Sequence, residues 1–84
     1  MMRIGGRRRR YPPDPGRLPS GVGQRIRMYR EKRGITQTQL GAPYFTRAHV
    51  SAIERGRTSP ALKSLAHFAG RLRVRVRDLI PPDI

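Results

Sequence analysis

Within YFTRAHVSAIERG, Tyr44 to Gly56, the residue types suit contact with a polyanion. Arg47 and Arg55 each carry a planar fork of donors that matches two phosphate oxygens or the O6 and N7 edge of guanine. Between them lie the small residues Ala48 and Ala52 and the short polar ones His49 and Ser51. At about 100° per residue of helix, Val50 and Ile53 mark one side, with Glu54 beside Val50. Ala48, Ala52 and Arg55 fall opposite, flanked by Ser51 and His49, with Arg47 in the first turn. A helix that needs only solubility would carry long charged side chains at 48 and 52. Small ones let the helix axis approach another surface, and in a major groove they reach thymine methyl groups. The plainer account of both positions is that alanine is the best helix former. Glu54 sits near a helix C-terminus, where a carboxylate opposes the macrodipole. Facing inward, it is expected to pair with a cation from another helix.

Other chemistry has little to stand on. There is no cysteine among the 84 residues, so disulfides and thiolate metal sites are excluded and a reducing cytoplasm is the natural setting. His49 and His67 have no acidic cluster beside them, so no metal is expected. No Ser/His/Asp, Cys/His or paired-carboxylate arrangement emerges, and neither catalysis nor a cofactor is expected. No apolar run is long enough to span a membrane. Seventeen Arg and two Lys against five acids leave a net charge of +14. An excess of that size points to nucleic acid first and an anionic membrane surface second.

The elements that must position these residues follow from the punctuation. Residues 1–21, rich in proline and with the run Arg7, Arg8, Arg9 and Arg10, are expected to be a disordered arm. The basic run is followed by Tyr-Pro-Pro-Asp-Pro rather than an apolar stretch, which argues against a signal peptide. The arm is a solvated tail, the product of a start codon placed too early, or a non-specific strap laid along phosphates or into a minor groove. Its charge is +5, six arginines against Asp14, so the remainder is basic in its own right.

A first helix is predicted over about 22–33, with Val22, Ile26 and Tyr29 on one face and Gly34 as its stop. In ITQTQL, Thr36 caps a second helix, Gln39 closes a capping box, and Ile35 and Leu40 form a hydrophobic staple. That helix must end near Gly41–Ala42, because Pro43 pushes its predecessor out of the helical region. Thr46 caps a third helix in the same way, with Phe45 and Val50 as staple, running to Arg55 and stopping at Gly56. Ser59 and Pro60 are expected as cap and first residue of a fourth, with Leu62, Leu65, Ala69 and Leu72 as its buried stripe. A last turn falls at about 75–80. RLRVRVR alternates as a half-buried strand would, but it has no evident partner strand and is read as helical.

With these landmarks in register, IRMYREKRGITQTQLGAPYFTRAHVSAIERGRTSPALKSLAHFAGRLRVRVRDLI resembles the Cro/C1-type (XRE-like) helix-turn-helix family of phage repressors and bacterial regulators. The resemblance covers roughly residues 22–80 and leaves 81–84 as a tail. It implies a compact all-α fold of five helices and a homodimer built on the C-terminal part. Carried over by position, it implies base contacts from Arg47, Ala48 and Ala52, and backbone contacts from Gln37, His49, Ser51, Arg55 and Arg57. It also implies an ion pair between Arg30 and Glu54. The chain departs from the family pattern in four places. Pro43 stands in the helix two–three turn with no glycine just before Phe45, Gly70 lies within helix four, Arg73 takes a glycine position, and Arg75 takes a Ser-like cap position.

The expected function is a sequence-specific regulator of transcription, a repressor, binding double-stranded DNA on the bacterial nucleoid. Two alternatives stay open on sequence alone. One is an antitoxin-like protein that binds a toxin-like partner and regulates its own operon; the other is a sequence-neutral coat for nucleic acid.

Overall fold

The structure is a computed structural model and describes residues 21–82. The arm with Arg7–Arg10, all but Gly21 of the expected segment 1–21, lies outside the described residues, as do the last two of the chain. Five helices follow in order: α1 (Val22–Arg33), α2 (Gln37–Gly41), α3 (Arg47–Glu54), α4 (Leu62–Leu72) and α5 (Val76–Leu79). There is no strand among the described residues.

Local chemistry accounts for most of the boundaries. Gly34 takes the left-handed conformation (φ 69°) that closes α1, and its N–H reaches back to the carbonyls of Arg30 and Glu31. Arg30, Lys32 and Arg33 fill the last turn, where cations favour the dipole. Thr36 accepts the N–H of Gln39 at 3.0 Å while the Gln39 side chain accepts the N–H of Thr36 at 2.8 Å, a full capping box. Ala42 is extended (ψ 146°) ahead of Pro43, which ends α2. Thr46 accepts the N–H of His49 at 3.1 Å and starts α3. Arg55 is the C-cap of α3, and Gly56 follows with φ 76°.

One core holds the helices together. Val22 and Ile26 of α1, Leu40 of α2, Val50 and Ile53 of α3, Leu65, Phe68, Ala69 and Leu72 of α4, and Leu79 of α5 are all buried. Tyr29, Ile35 and Phe45 pack against them from the rim. Two glycines allow the helices to approach. A Cβ on Gly23 would lie 2.0 Å from the carbonyl oxygen of Ile53, and one on Gly41 would lie 2.9 Å from Cγ2 of Val50. The second approach sets how α2 crosses α3.

The fourth helix differs from expectation. It starts at Leu62 with Ala61 as a cap that makes no side-chain hydrogen bond, so Ser59 does not cap it and Pro60 is not its first residue. Pro60 is buried instead and acts as an apolar plug, while Ala61 stays extended (ψ 162°) before the chain turns helical. Leu62 is 71% exposed. It stands about 60° of helix rotation past Leu65, on the far side from Phe68, which with Leu65 and Leu72 forms the buried centre of the stripe.

RLRVRVR is neither a strand nor a continuous helix. α4 ends at Leu72, Arg73 turns left-handed (φ 58°, ψ 42°), and α5 begins at Val76. The left-handed region costs an L-residue roughly 1–2 kcal/mol that glycine avoids. Arg75 cannot accept a hydrogen bond through its guanidinium, so only half a capping box forms. The Asp78 carboxylate accepts the N–H of Arg75 at 2.8 Å.

Gly70 sits inside α4, exposed, with nothing within 4 Å of an added Cβ. Gly70→Ala is therefore expected to stabilise the fold by about 1 kcal/mol. For a domain of this size that is about 4–8 °C in Tm, to be read by thermal denaturation in circular dichroism.

Candidate nucleic-acid interface

α3 turns its two sides to different surroundings. Val50, Ile53 and Glu54 are buried, Arg47, Ala48, His49 and Arg55 are exposed, and Ser51 and Ala52 are half-buried. Neither alanine is packed inside the protomer. Arg57 is also exposed, in the loop just past the helix. The His49 ring stacks on Phe45, with centroids 5.4 Å apart and planes 19° from parallel, so the turn holds it. The same turn presents Tyr44, 76% exposed, with its ring edge-on to His67 at 5.4 Å. Sequence reasoning passed over Tyr44.

A polar knot under the C-terminus of α3 fixes the helix. Nε of Arg30 donates to Glu54 Oε2 at 2.7 Å and Nη2 donates to Oε1 at 3.1 Å, a bidentate pair whose side chains are 14% and 3% exposed. Nη1 of Arg30 donates to the carbonyl of Ile35 at 3.0 Å. Gln37, the first residue of α2, donates its amide to Glu54 Oε1 at 3.0 Å. One carboxylate thus ties α1, α2 and α3 together. Its hydrogen bonds hold the Arg30 guanidinium above its already high ordinary pKa, against the opposing effect of burial. The Gln37 amide nitrogen has a second hydrogen, left over after the bond to Glu54, with which to meet an anion.

Not every arginine is available to a ligand. Arg33 donates to the carbonyl of Leu72 at 2.9 Å, at the end of α4, and Arg25 to that of Asp78 at 3.1 Å. Arg71 donates to the carbonyl of Gln39. Each satisfies a carbonyl near the C-terminus of a helix that has no partner within it. His67 likewise meets the Leu40 carbonyl at 3.1 Å, the end of α2. The positive charge therefore splits into guanidinium groups that bind the fold and others, Arg47, Arg55 and Arg57 among them, that border the α3 ridge.

Among the described residues, no group of three or more His, Cys, Asp and Glu is placed to hold a metal ion. No helix of the described residues is long and apolar enough to cross a membrane. A shallow groove beside α1 is lined by Gln24, Arg27, Met28, Glu31, Glu54 and Arg55, with the exposed pair Arg27–Glu31 at 3.2 Å on its wall.

A family model described as a helix-turn-helix domain matches residues 22–79. The chain is 38% identical over 60 residues to the immunity repressor protein of Bacillus phage phi105, an overlap covering 70% of this chain and 42% of the repressor. It spans less than half the length of the curated relatives it matches. The crystal structure of the restriction-modification controller protein C.AhdI from Aeromonas hydrophila superposes with a TM-score of 0.67 at 30% identity, covering 71% of this chain and 92% of that one. The P22 c2 repressor, crystallised with synthetic operator 9T, superposes with a TM-score of 0.68 at 29% identity, covering 77% of this chain and 100% of the repressor.

Proposed function

Because the chain belongs to the helix-turn-helix family of Cro/C1-type (XRE-like) regulators, we propose that it is a sequence-specific double-stranded DNA-binding repressor that inserts α3 into the major groove. The observation that carries this is the open ridge of α3, with Arg47 and Ala48 facing outward while Val50, Ile53 and Glu54 anchor the other side. Arg47 reads a base edge, its guanidinium forked to guanine O6 and N7. Ala48 and Ala52 admit the helix deeply and meet thymine methyls. Gln37, His49, Ser51, Arg55 and Arg57 contact the sugar-phosphate backbone and set the register. Arg30 and Glu54 act at one remove, by fixing the angle at which α3 leaves the domain.

The protein works as a homodimer in the cytoplasm. Its two copies of α3 enter successive major grooves about 34 Å apart on a near-palindromic site.

Phosphate contacts supply much of the affinity, so binding falls steeply with salt. With roughly six phosphates neutralised per complex, the slope of log K against log salt is expected near −5. A site selected from a random duplex pool, titrated by fluorescence anisotropy against an unrelated duplex, provides the test. Arg47→Ala should narrow the gap between the two duplexes by about 1–3 kcal/mol for each bidentate guanine pairing it removes. Gln37→Ala should weaken both alike. Equal losses on both duplexes for Arg47→Ala, or a salt slope near zero, would refute the assignment.

A further inference from the structure

Tyr44 and Phe45 stand side by side in the turn between α2 and α3, and the fold treats them in opposite ways. Phe45 packs on the core, its ring 5.4 Å from that of Phe68. Tyr44 is exposed, and its hydroxyl makes no hydrogen bond with another described residue.

Exposed as it is, the residue is held. Its N–H donates to the carbonyl of Gly41 at 3.0 Å, and the N–H of Phe45 donates to the same carbonyl at 2.8 Å, which fixes the backbone of the turn. The Tyr44 ring stands edge-on to His67 of α4 at 5.4 Å and to Phe45 at 6.4 Å. His67 is anchored in turn, its Nε2 meeting the Leu40 carbonyl at 3.1 Å. A tyrosine fixed in this way has already lost the side-chain freedom that binding would otherwise remove. A surface ring oriented by two others and ending in an unpartnered hydroxyl is arranged for a ligand rather than for the core.

The chain itself sets where that ligand lies. Tyr44 comes two residues before Thr46, the cap of α3, so their Cα atoms are no more than about 7.6 Å apart. The major groove is about 12 Å wide, and a helix with its side chains is about 10–12 Å across. α3 therefore fills a groove that it enters, and a group beside its first turn meets the wall, which is sugar and phosphate. The rings mark which wall. Phe45 joins the Tyr44 ring to that of His49, on which it stacks at 5.4 Å, so Tyr44 extends the His49 flank of the α3 ridge. The turn also belongs to the α2–α3 reading unit, outside the C-terminal part to which the homodimer is assigned.

We propose that Tyr44 is a further contact to DNA, its phenol hydroxyl donating to a backbone phosphate on the His49 side of the groove, so that it sets the register of α3 without reading sequence. The inference rests on the reading that α3 binds DNA. The phenol O–H is a donor, and phosphate oxygens accept from such side chains in positioning contacts.

The test is Tyr44→Phe in the full chain, which keeps the ring and removes only the hydroxyl. Tm should be unchanged, since that hydroxyl has no partner in the fold. Binding to the selected duplex and to the unrelated one should weaken alike, by roughly ten-fold. The slope of log K against log salt should keep its wild-type value, because a phenol displaces no counterion. Replacing single phosphates by neutral methylphosphonates, symmetrically in the two half-sites, locates the contact. At one position the loss caused by Tyr44→Phe should shrink toward none, and at the others the two losses should add. The proposal is overturned if Tyr44→Phe binds both duplexes as wild type does, or if no phosphonate position couples to the hydroxyl. It also fails if the loss is confined to the selected duplex, which makes Tyr44 a reader of bases. Arg47→Ala alongside keeps the two readings apart. Loss of site preference there with a silent Tyr44→Phe leaves α3 in the groove and removes the tyrosine contact, whereas a wild type that binds no duplex removes both.

Discussion

Gly23→Ala is expected to destabilise the domain by about 3 kcal/mol or more, at or beyond the upper end of what overpacking costs. The added Cβ would stand 2.0 Å from the carbonyl oxygen of Ile53 and 3.0 Å from that of Glu54. Both obstacles are backbone, so no flexible side chain can move aside. α1 has to lift from the end of α3, and that opens Val22 and Ile26 of α1 and Ile53 of α3, all buried, to water. The gain in helix propensity from glycine to alanine, about 1 kcal/mol, does not offset this. The same substitution at Gly70, where a Cβ meets nothing, has the opposite sign. Urea denaturation of the two variants side by side checks both, and a Gly23→Ala midpoint at or above that of wild type would contradict the packing of α1 on α3.

Glu54→Ala should cost about 3–5 kcal/mol, the range for breaking one side of a buried ion pair. Removing the carboxylate leaves Arg30 half-buried with only the Ile35 carbonyl as acceptor, and takes the partner of the Gln37 amide as well. Against a typical total stability of about 5–15 kcal/mol, such a loss corresponds to a fall in Tm of roughly 12 °C or more. Glu54→Gln keeps one oxygen to accept from Arg30 or Gln37 and should lose less. At low temperature, where the variant is still folded, its preference between the selected and unrelated duplexes should be close to that of wild type, because Glu54 positions α3 rather than touching DNA. A Tm within a few degrees of wild type would rule out the carboxylate as the fastening of the three helices.

The polar punctuation was legible residue by residue. Thr36 with Gln39, Thr46, Gly34 and the Ala42–Pro43 step each act within a few residues of themselves, so their effect on the backbone does not depend on the rest of the fold. The inward face of α3, with Val50, Ile53 and Glu54, was legible for the same reason, since helical rotation alone places those side chains together. The start of α4 was not. Ser59-Pro60 is a sound local signal for a helix start, but the core took Pro60 as apolar filling, and the helix began after it at an uncapped Ala61. Leu62 fell outside its expected place because only the position of neighbouring helices decides which edge of a stripe is covered.

By itself the sequence determined that the chain is helical, the ends set by Gly34, Thr36, Pro43 and Thr46, the charge and the outward set Arg47, Ala48 and Arg55, because these follow from short-range sterics and hydrogen bonding along one chain. Tertiary structure alone decided what depends on residues far apart. Gly23 has to be bare because Ile53 backs onto it, Gly41 because Val50 does, and Phe68 rather than Leu62 fills the centre of the core. It also divided the other arginines, tying Arg25, Arg33 and Arg71 to carbonyls and leaving Arg73, Arg75 and Arg77 free of such partners among the described residues. A guanidinium group is the same donor wherever it stands, and only the fold sets whether an acceptor from a distant helix comes within about 3 Å of it.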